Sequence, residues 1–128
     1  MKHVWLFFAL LFIAGCTSVD NNYLQPQDIT RALEKEGLKV ESVRPVLPDP
    51  FRATSGVAIS VDGSEIGVYK YDQTSRVQRK RLASIAESKR TYINGIPYPV
   101  VVHGSFMIMG LDKNKQKRQI IKALKHFK

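Results

Sequence analysis

Hydrophobic positions form three kinds of pattern along the chain: one unbroken run, several alternating stretches, and stripes at helical spacing. The run covers residues 4–14 and is followed, after Gly15 and Cys16, by polar Thr17 and Ser18. From Pro26 onward, apolar positions recur with the periods that let a helix or a strand bury one face. Residues 26–36 predict a first helix with Ile29, Ala32 and Leu33 on one face. Pro26 suits the first helical position. Gly37 suits a left-handed stop, with Leu38 folding back on the last turn. Residues 38–43 predict a short strand in which Leu38 and Val40 keep step and Val43 does not.

Pro45, Pro48 and Pro50 then interrupt the pattern around Val46, Leu47 and Phe51. A proline-spaced apolar segment is a packed connection or, in a functional reading, a partner-docking loop. Val57, Ile59 and Val61 alternate up to Asp62-Gly63, and Ile66, Val68, Tyr69 and Tyr71 continue beyond it. Asp-Gly between alternating runs predicts a tight hairpin, because that turn needs positive φ at both central residues. Residues 75–88 predict a second helix, capped by Asp72, Thr74 or Ser75, with a thin stripe of Leu82, Ile85 and Ala86. Residues 92–99 read as a loop around an Asn94-Gly95 turn. Residues 99–103 and 105–111 then read as strands around Gly104, apolar almost throughout. Such strands are central and buried on both faces, or partly covered by another chain. Left exposed, they would mark an interaction site. The last helix starts at Asp112 or Asn114 and ends at Phe127, with Ile120, Ile121, Leu124 and Phe127 on one side. The order α-β-β-β-α-β-β-α predicts an α+β domain of two layers, its helices on one face of a mostly antiparallel sheet.

Charge adds a direction. The chain has 20 Lys+Arg against 11 Asp+Glu, a net +9. That balance favours an anionic partner such as lipid, wall polymer or an acidic protein. Arg76, Arg79 and Lys80 on the second helix, and Lys115, Arg118, Lys122 and Lys125 on the last, are the candidate contacts. Lys113, Lys115 and Lys117 crowd the start of the last helix, where each cation opposes the helix dipole by ~0.3–1 kcal/mol. Helix stability alone does not place them there. Tyr69, Tyr71, Tyr92 and Tyr98 lie near basic runs, yet they fit ordinary strands and loops, so nucleic acid is a disfavoured partner.

The apolar run is too short to cross a bilayer: at ~1.5 Å per residue it spans roughly 17 Å of a ~30 Å core. Behind the basic Met1-Lys2-His3 it has the form of a signal-peptide core. Ile13-Ala14-Gly15-Cys16 resembles the lipobox of bacterial lipoproteins. The resemblance implies cleavage between Gly15 and Cys16 and a diacylglycerol on the Cys16 thiol. It divides the chain into a signal peptide (1–15), a lipidated terminus and tether (16–24) and a single α+β domain (25–128). The mature protein is then expected on the extracytoplasmic face of the cell membrane. Thr17, where a retention signal would have Asp, leaves an outer membrane open if the source has two. Cys16 is the single cysteine, so no disulfide forms. The span 61–127 is also similar to small uncharacterised lipoproteins of Gram-positive, Bacillus-like bacteria. The similarity rests on Gly63-x-x-Ile66-x-Val68-Tyr69-x-Tyr71, Gly104-x-Phe106-Met107-Ile108 and Ile120-Ile121-x-Ala123-Leu124. It implies location and fold, and carries no activity; the strong positive charge departs from the group.

Catalytic chemistry is thin. His3, His103 and His126 are scattered, and no cluster has metal-ligand spacing. Asp112-Lys113-Asn114-Lys115-Gln116 imitates the start of a calcium loop but has Ala123 where the bidentate carboxylate belongs. No nucleophile elbow, P-loop or dinucleotide fingerprint is present. His103-Gly104-Ser105 sets a base near a hydroxyl, and an envelope hydrolase would need those two, or His103 and a buried carboxylate, to meet. The expectation is a non-enzymatic, lipid-anchored envelope protein, without cofactor or metal, on an anionic surface or envelope partner. The alternative is an interaction or inhibitor lipoprotein docking through the 45–51 loop or the 106–109 strand.

Overall fold

A computed structural model describes residues 20–127. The expected signal peptide, Cys16 and the first tether residues lie outside the described residues. A 3-10 turn, Pro26–Asp28, leads into α1, Ile29–Lys35. The Asp28 carboxylate accepts the Gln25 N–H at 2.7 Å, which satisfies one donor at the helix start. The stop is the expected one. Gly37 has φ +84, and its N–H donates to Glu34 O at 2.9 Å, while Leu38 N–H reaches back to Leu33 O at 3.0 Å.

Strand β1, Val40–Pro45, pairs antiparallel with β2, Ser55–Val61. Their register shifts between Val40 and Ser42. That bulge explains why Val43 reads out of step with Val40 in the sequence. β2 turns into β3, Ser64–Lys70, through Asp62 at φ +52 and Gly63 at φ +80, the predicted hairpin. α2, Arg76–Ser88, starts where Ser75 Oγ accepts the Gln78 N–H at 3.3 Å.

The expected loop over 92–99 is instead a second hairpin. β4, Arg90–Ile93, pairs with β5, Ile96–His103, across Asn94 at φ +50 and Gly95 at φ +80. Pro97 and Pro99 hid it, because proline reads against a strand. The ladder spares them for a geometric reason. Val100 N–H points toward β4, bonding Lys89 O at 3.0 Å, so the positions one and three residues earlier point the other way. There β6, Phe106–Met109, pairs only with 100–103, and the prolines have no ladder bond to lose. A 3-10 turn at Leu111–Lys113 precedes α3, Lys117–Leu124, which is shorter at both ends than its apolar stripe suggests.

The sheet order is β1-β2-β3-β6-β5-β4, antiparallel throughout. The fold is α+β, with the expected element order plus β4. The helices, expected on one face, divide between the two. α1 and α3 bury Ile29, Leu33, Ile120 and Leu124 against Ile59, Val68, Phe106 and Ile108. α2 sets Leu82 against Tyr71, Val100 and Met107 on the opposite face. The reason lies in β6 and its neighbours: Phe106 and Ile108 face one side, Met107 the other, and all three have 0% exposure. A strand apolar on both faces needs a cover on each. The second cover is partial. α2 contributes one fully buried side chain, Leu82, and lies over β4 and β5, so the β1–β3 half is left to the segment carrying Val46, Phe51 and Ala53.

Candidate functional site

The seven cations expected on an anionic surface are all exposed, but they do not form one patch. Arg76, Arg79 and Lys80 ride on α2, on one face of the sheet; Lys115, Arg118, Lys122 and Lys125 follow α3 on the other. The α3 set is also spread end to end. Asn114 Nδ2 donates to Val61 O at 3.1 Å and Gln116 Nε2 to Asp62 Oδ2 at 3.3 Å, which places the start of α3 at the β2–β3 turn. Lys122 is paired with Glu36 at 3.2 Å. The C-terminal end of α3 lies at the opposite pole, beside the β5–β6 turn.

That second pole is where the chain enters the domain. Asn21 is 0% exposed. Its Nδ2 donates to Phe127 O at 3.1 Å and His103 O at 3.3 Å, and its Oδ1 accepts Ser105 N–H at 2.7 Å. Asn22 Oδ1 accepts Gln73 N–H at 2.8 Å and the Ser105 hydroxyl at 3.2 Å. Lys70, almost fully buried, donates to the main-chain oxygens of Asn22 and Leu24, with its ammonium 5.4 Å from the centre of the Phe106 ring. Burial pushes the Lys70 pKa down, against the pull of Asp72 and Asp28. The Thr74 hydroxyl and N–H hold the Asp72 carboxyl below its ordinary value, with a smaller contribution from Asn22. Residues 21–24, expected in the tether, thus belong to the fold. Cys16 and Asn21 are five residues apart. However arranged, those residues span at most ~18 Å.

Three of the seven cations flank this entry point. Arg76 and Arg79 lie in the first turn of α2, where Arg79 Nη1 donates to Gln73 O at 3.1 Å. Lys125 closes α3, two residues before the Phe127 carbonyl that Asn21 holds. The same network takes up the suspected base and hydroxyl. His103 Nε2 lies 3.2 Å from Phe127 O, and the Ser105 hydroxyl proton goes to Asn22. Among the described residues, no group of three His, Cys, Asp or Glu could hold a metal, and no helix is long and apolar enough to cross a membrane.

A second feature is a groove of about 460 Å³ on the face that α2 only partly covers. Its floor is one row across the sheet, where register places Arg44, Ala58, Gly67 and Met109 side by side. Tyr69 leans over this row. A Cβ on Gly67 would lie 2.9 Å from its ring, and one on Gly56 2.7 Å, so the two glycines make room for the aromatic plane. Phe51 packs on Tyr69 with ring centres 4.6 Å apart, and burial pushes the Tyr69 phenol up. Leu47 and Tyr98 form opposite walls. Arg44 and Glu65 meet at the mouth through two bonds, at 3.0 and 2.9 Å. The 45–51 loop flagged in the sequence is one wall of this groove; of the 106–109 strand, Phe106, Met107 and Ile108 are fully buried and Met109 reaches the groove. The floor escaped the sequence reading because Ala58 and Gly67 signal by lacking side chains. The chain matches no protein-family model, no curated protein and no solved structure.

Proposed function

We propose that this chain is a non-enzymatic, lipid-anchored envelope protein whose entry pole rests on an anionic membrane surface. The observation that carries the reading is the Asn21–Asn22 clamp. It leaves four residues between the lipobox cysteine and the clamp, and it does so beside Arg76, Arg79 and Lys125. Two acyl chains on Cys16 would hold the protein durably, since each buried methylene contributes ~0.8 kcal/mol. A tether of at most ~18 Å keeps the pole within about two Debye lengths of the headgroups, ~8 Å each at physiological salt. Lys115 and Arg118, at the far end of α3, stand away from that surface.

The three pole cations contribute up to ~1 kcal/mol each near anionic lipid, together ~3 kcal/mol or about 100-fold in binding. The test is vesicle co-sedimentation of residues 17–128 without lipid, on neutral and anionic vesicles at low and physiological salt. Binding should require anionic vesicles and weaken with salt. Neutralising the pole with Arg76→Gln, Arg79→Gln and Lys125→Gln should lower it about 100-fold, whereas Lys115→Gln with Arg118→Gln should lower it less than about 3-fold. Equal losses from the two sets, or equal binding to neutral vesicles, would refute the reading.

A further inference from the structure

We propose that the groove beneath the 45–51 loop is a binding site for a small amphiphile: an aromatic or apolar body bearing one acidic group. Its volume, about 460 Å³, falls within the ~300–1,000 Å³ of sites that enclose small molecules. The lining suits an apolar body. The Tyr69 ring provides a flat floor, Phe51 backs it, and Leu47, Tyr98 and Met109 surround the opening. The groove is open because Gly56 and Gly67 let the Tyr69 ring lie low over the sheet and Ala58 beside it is short, in a row where the flanking positions are Arg44 and Met109. The covering helix that this sheet face lacks would lie over the same row.

The rim sets the charge of the ligand. Glu65 is matched by Arg44, which uses Nε and Nη2 for that pair. Asp112 is matched by Lys117. Lys113, exposed on the same rim, has no ion-pair partner among the described residues. The charged lining of the groove is balanced, Arg44 and Lys113 against Glu65 and Asp112. Counting Lys117, which lies outside the lining and neutralises Asp112, leaves one positive charge at Lys113, which a single carboxylate on the ligand complements. The position argues for a solute over a bilayer lipid. Glu65 and Gly67 lie toward the β2–β3 turn, whereas the chain enters beside Lys70 at the other end of β3. The site stands whether or not the entry pole contacts lipid.

The probes are 2-naphthoate and its neutral counterpart 2-naphthamide, titrated into residues 17–128 and followed by NMR at the Gly67 amide and the Met109 methyl. Naphthoate should give saturable 1:1 shifts at both positions with a Kd below ~1 mM. Naphthamide should bind at least about 5-fold more weakly, and Lys113→Gln should reduce naphthoate affinity by a similar factor. Ala58→Phe, which fills the floor, should abolish binding with an unchanged circular dichroism spectrum. The proposal is overturned by unsaturable shifts, by shifts that bypass Gly67 and Met109, or by equal affinity for the two probes. Those readings come from the unmodified chain and hold even if Ala58→Phe fails to fold.

Discussion

Replacing Asn21 by alanine removes one side chain and strands the groups it serves. Ser105 N–H loses its acceptor at 2.7 Å at a buried site, whereas Phe127 O, which loses its donor at 3.1 Å, still has His103 Nε2 at 3.2 Å. The third partner, His103 O, is only partly buried, and water can replace the amide there. One buried orphan costs ~1–3 kcal/mol, so the change should destabilise the fold by about 1–3 kcal/mol. Against the ~5–15 kcal/mol that holds a domain of this size, that is a large fraction. At ~4 °C per kcal/mol the melting temperature should fall by about 4–12 °C. Gly104 offers a second approach to the same contact. A Cβ there would lie 2.2 Å from Asn21 Oδ1, and Gly104 has φ +59, so Gly104→Ala displaces the amide and strains the turn. The assay is thermal and urea unfolding of residues 17–128, followed by circular dichroism, for both single variants and the double. The double should cost clearly less than the sum, because both changes break one contact. A chain starting at residue 25 should lose at least as much as Asn21→Ala. A melting shift under about 3 °C, or full stability of the chain starting at residue 25, would make residues 21–24 a tether after all.

Tyr71 should titrate late: burial pushes its pKa up to about 12, with its hydroxyl donating to Phe51 O at 2.7 Å. The folded value lies above the unfolded 10.0, so its contribution is complete below pH 10.0 and is lost as pH rises toward about 12. Absorbance at the tyrosinate band should show Tyr71 ionising only as the fold gives way, and five tyrosines titrating together near pH 10.0 would contradict this. Ser75→Ala should cost ~1 kcal/mol by removing the acceptor of Gln78 N–H; chemical denaturation that leaves the midpoint unmoved would show the cap to be idle.

What could be read from the sequence was local. The Asp62-Gly63 hairpin, the Gly37-Leu38 stop and a cap at Asp72, Thr74 or Ser75 each depend on residues within a few positions of one another. What escaped depends on distant partners or missing atoms. Asn21 bonds to residues 82, 84 and 106 positions away, and nothing in two adjacent asparagines names those partners. The division of the helices between two faces follows from strand pairing, which places Met107 beside Tyr69 and Ile108 beside Val68. Each helix pattern shows which side of that helix is wet, and leaves open the side of the sheet on which it lands. The seven cations, expected together on an anionic surface, are exposed but fall on two faces of the sheet. β4 was hidden by two prolines whose missing N–H groups happen to point away from it.

The account stands most directly on which pole of the domain meets the membrane. The decisive measurement uses the acylated protein in anionic liposomes that carry a headgroup quencher. Acylation blocks Cys16, so a single introduced cysteine takes the fluorophore. One variant carries it at the entry pole, His126→Cys, and one beside the β2–β3 turn, Ser64→Cys, a strand length of roughly 20 Å away. Strong quenching of the label at 126 and little at 64 is the expected result. Equal quenching, or stronger quenching at 64, would contradict the orientation and with it the proposed role of Arg76, Arg79 and Lys125.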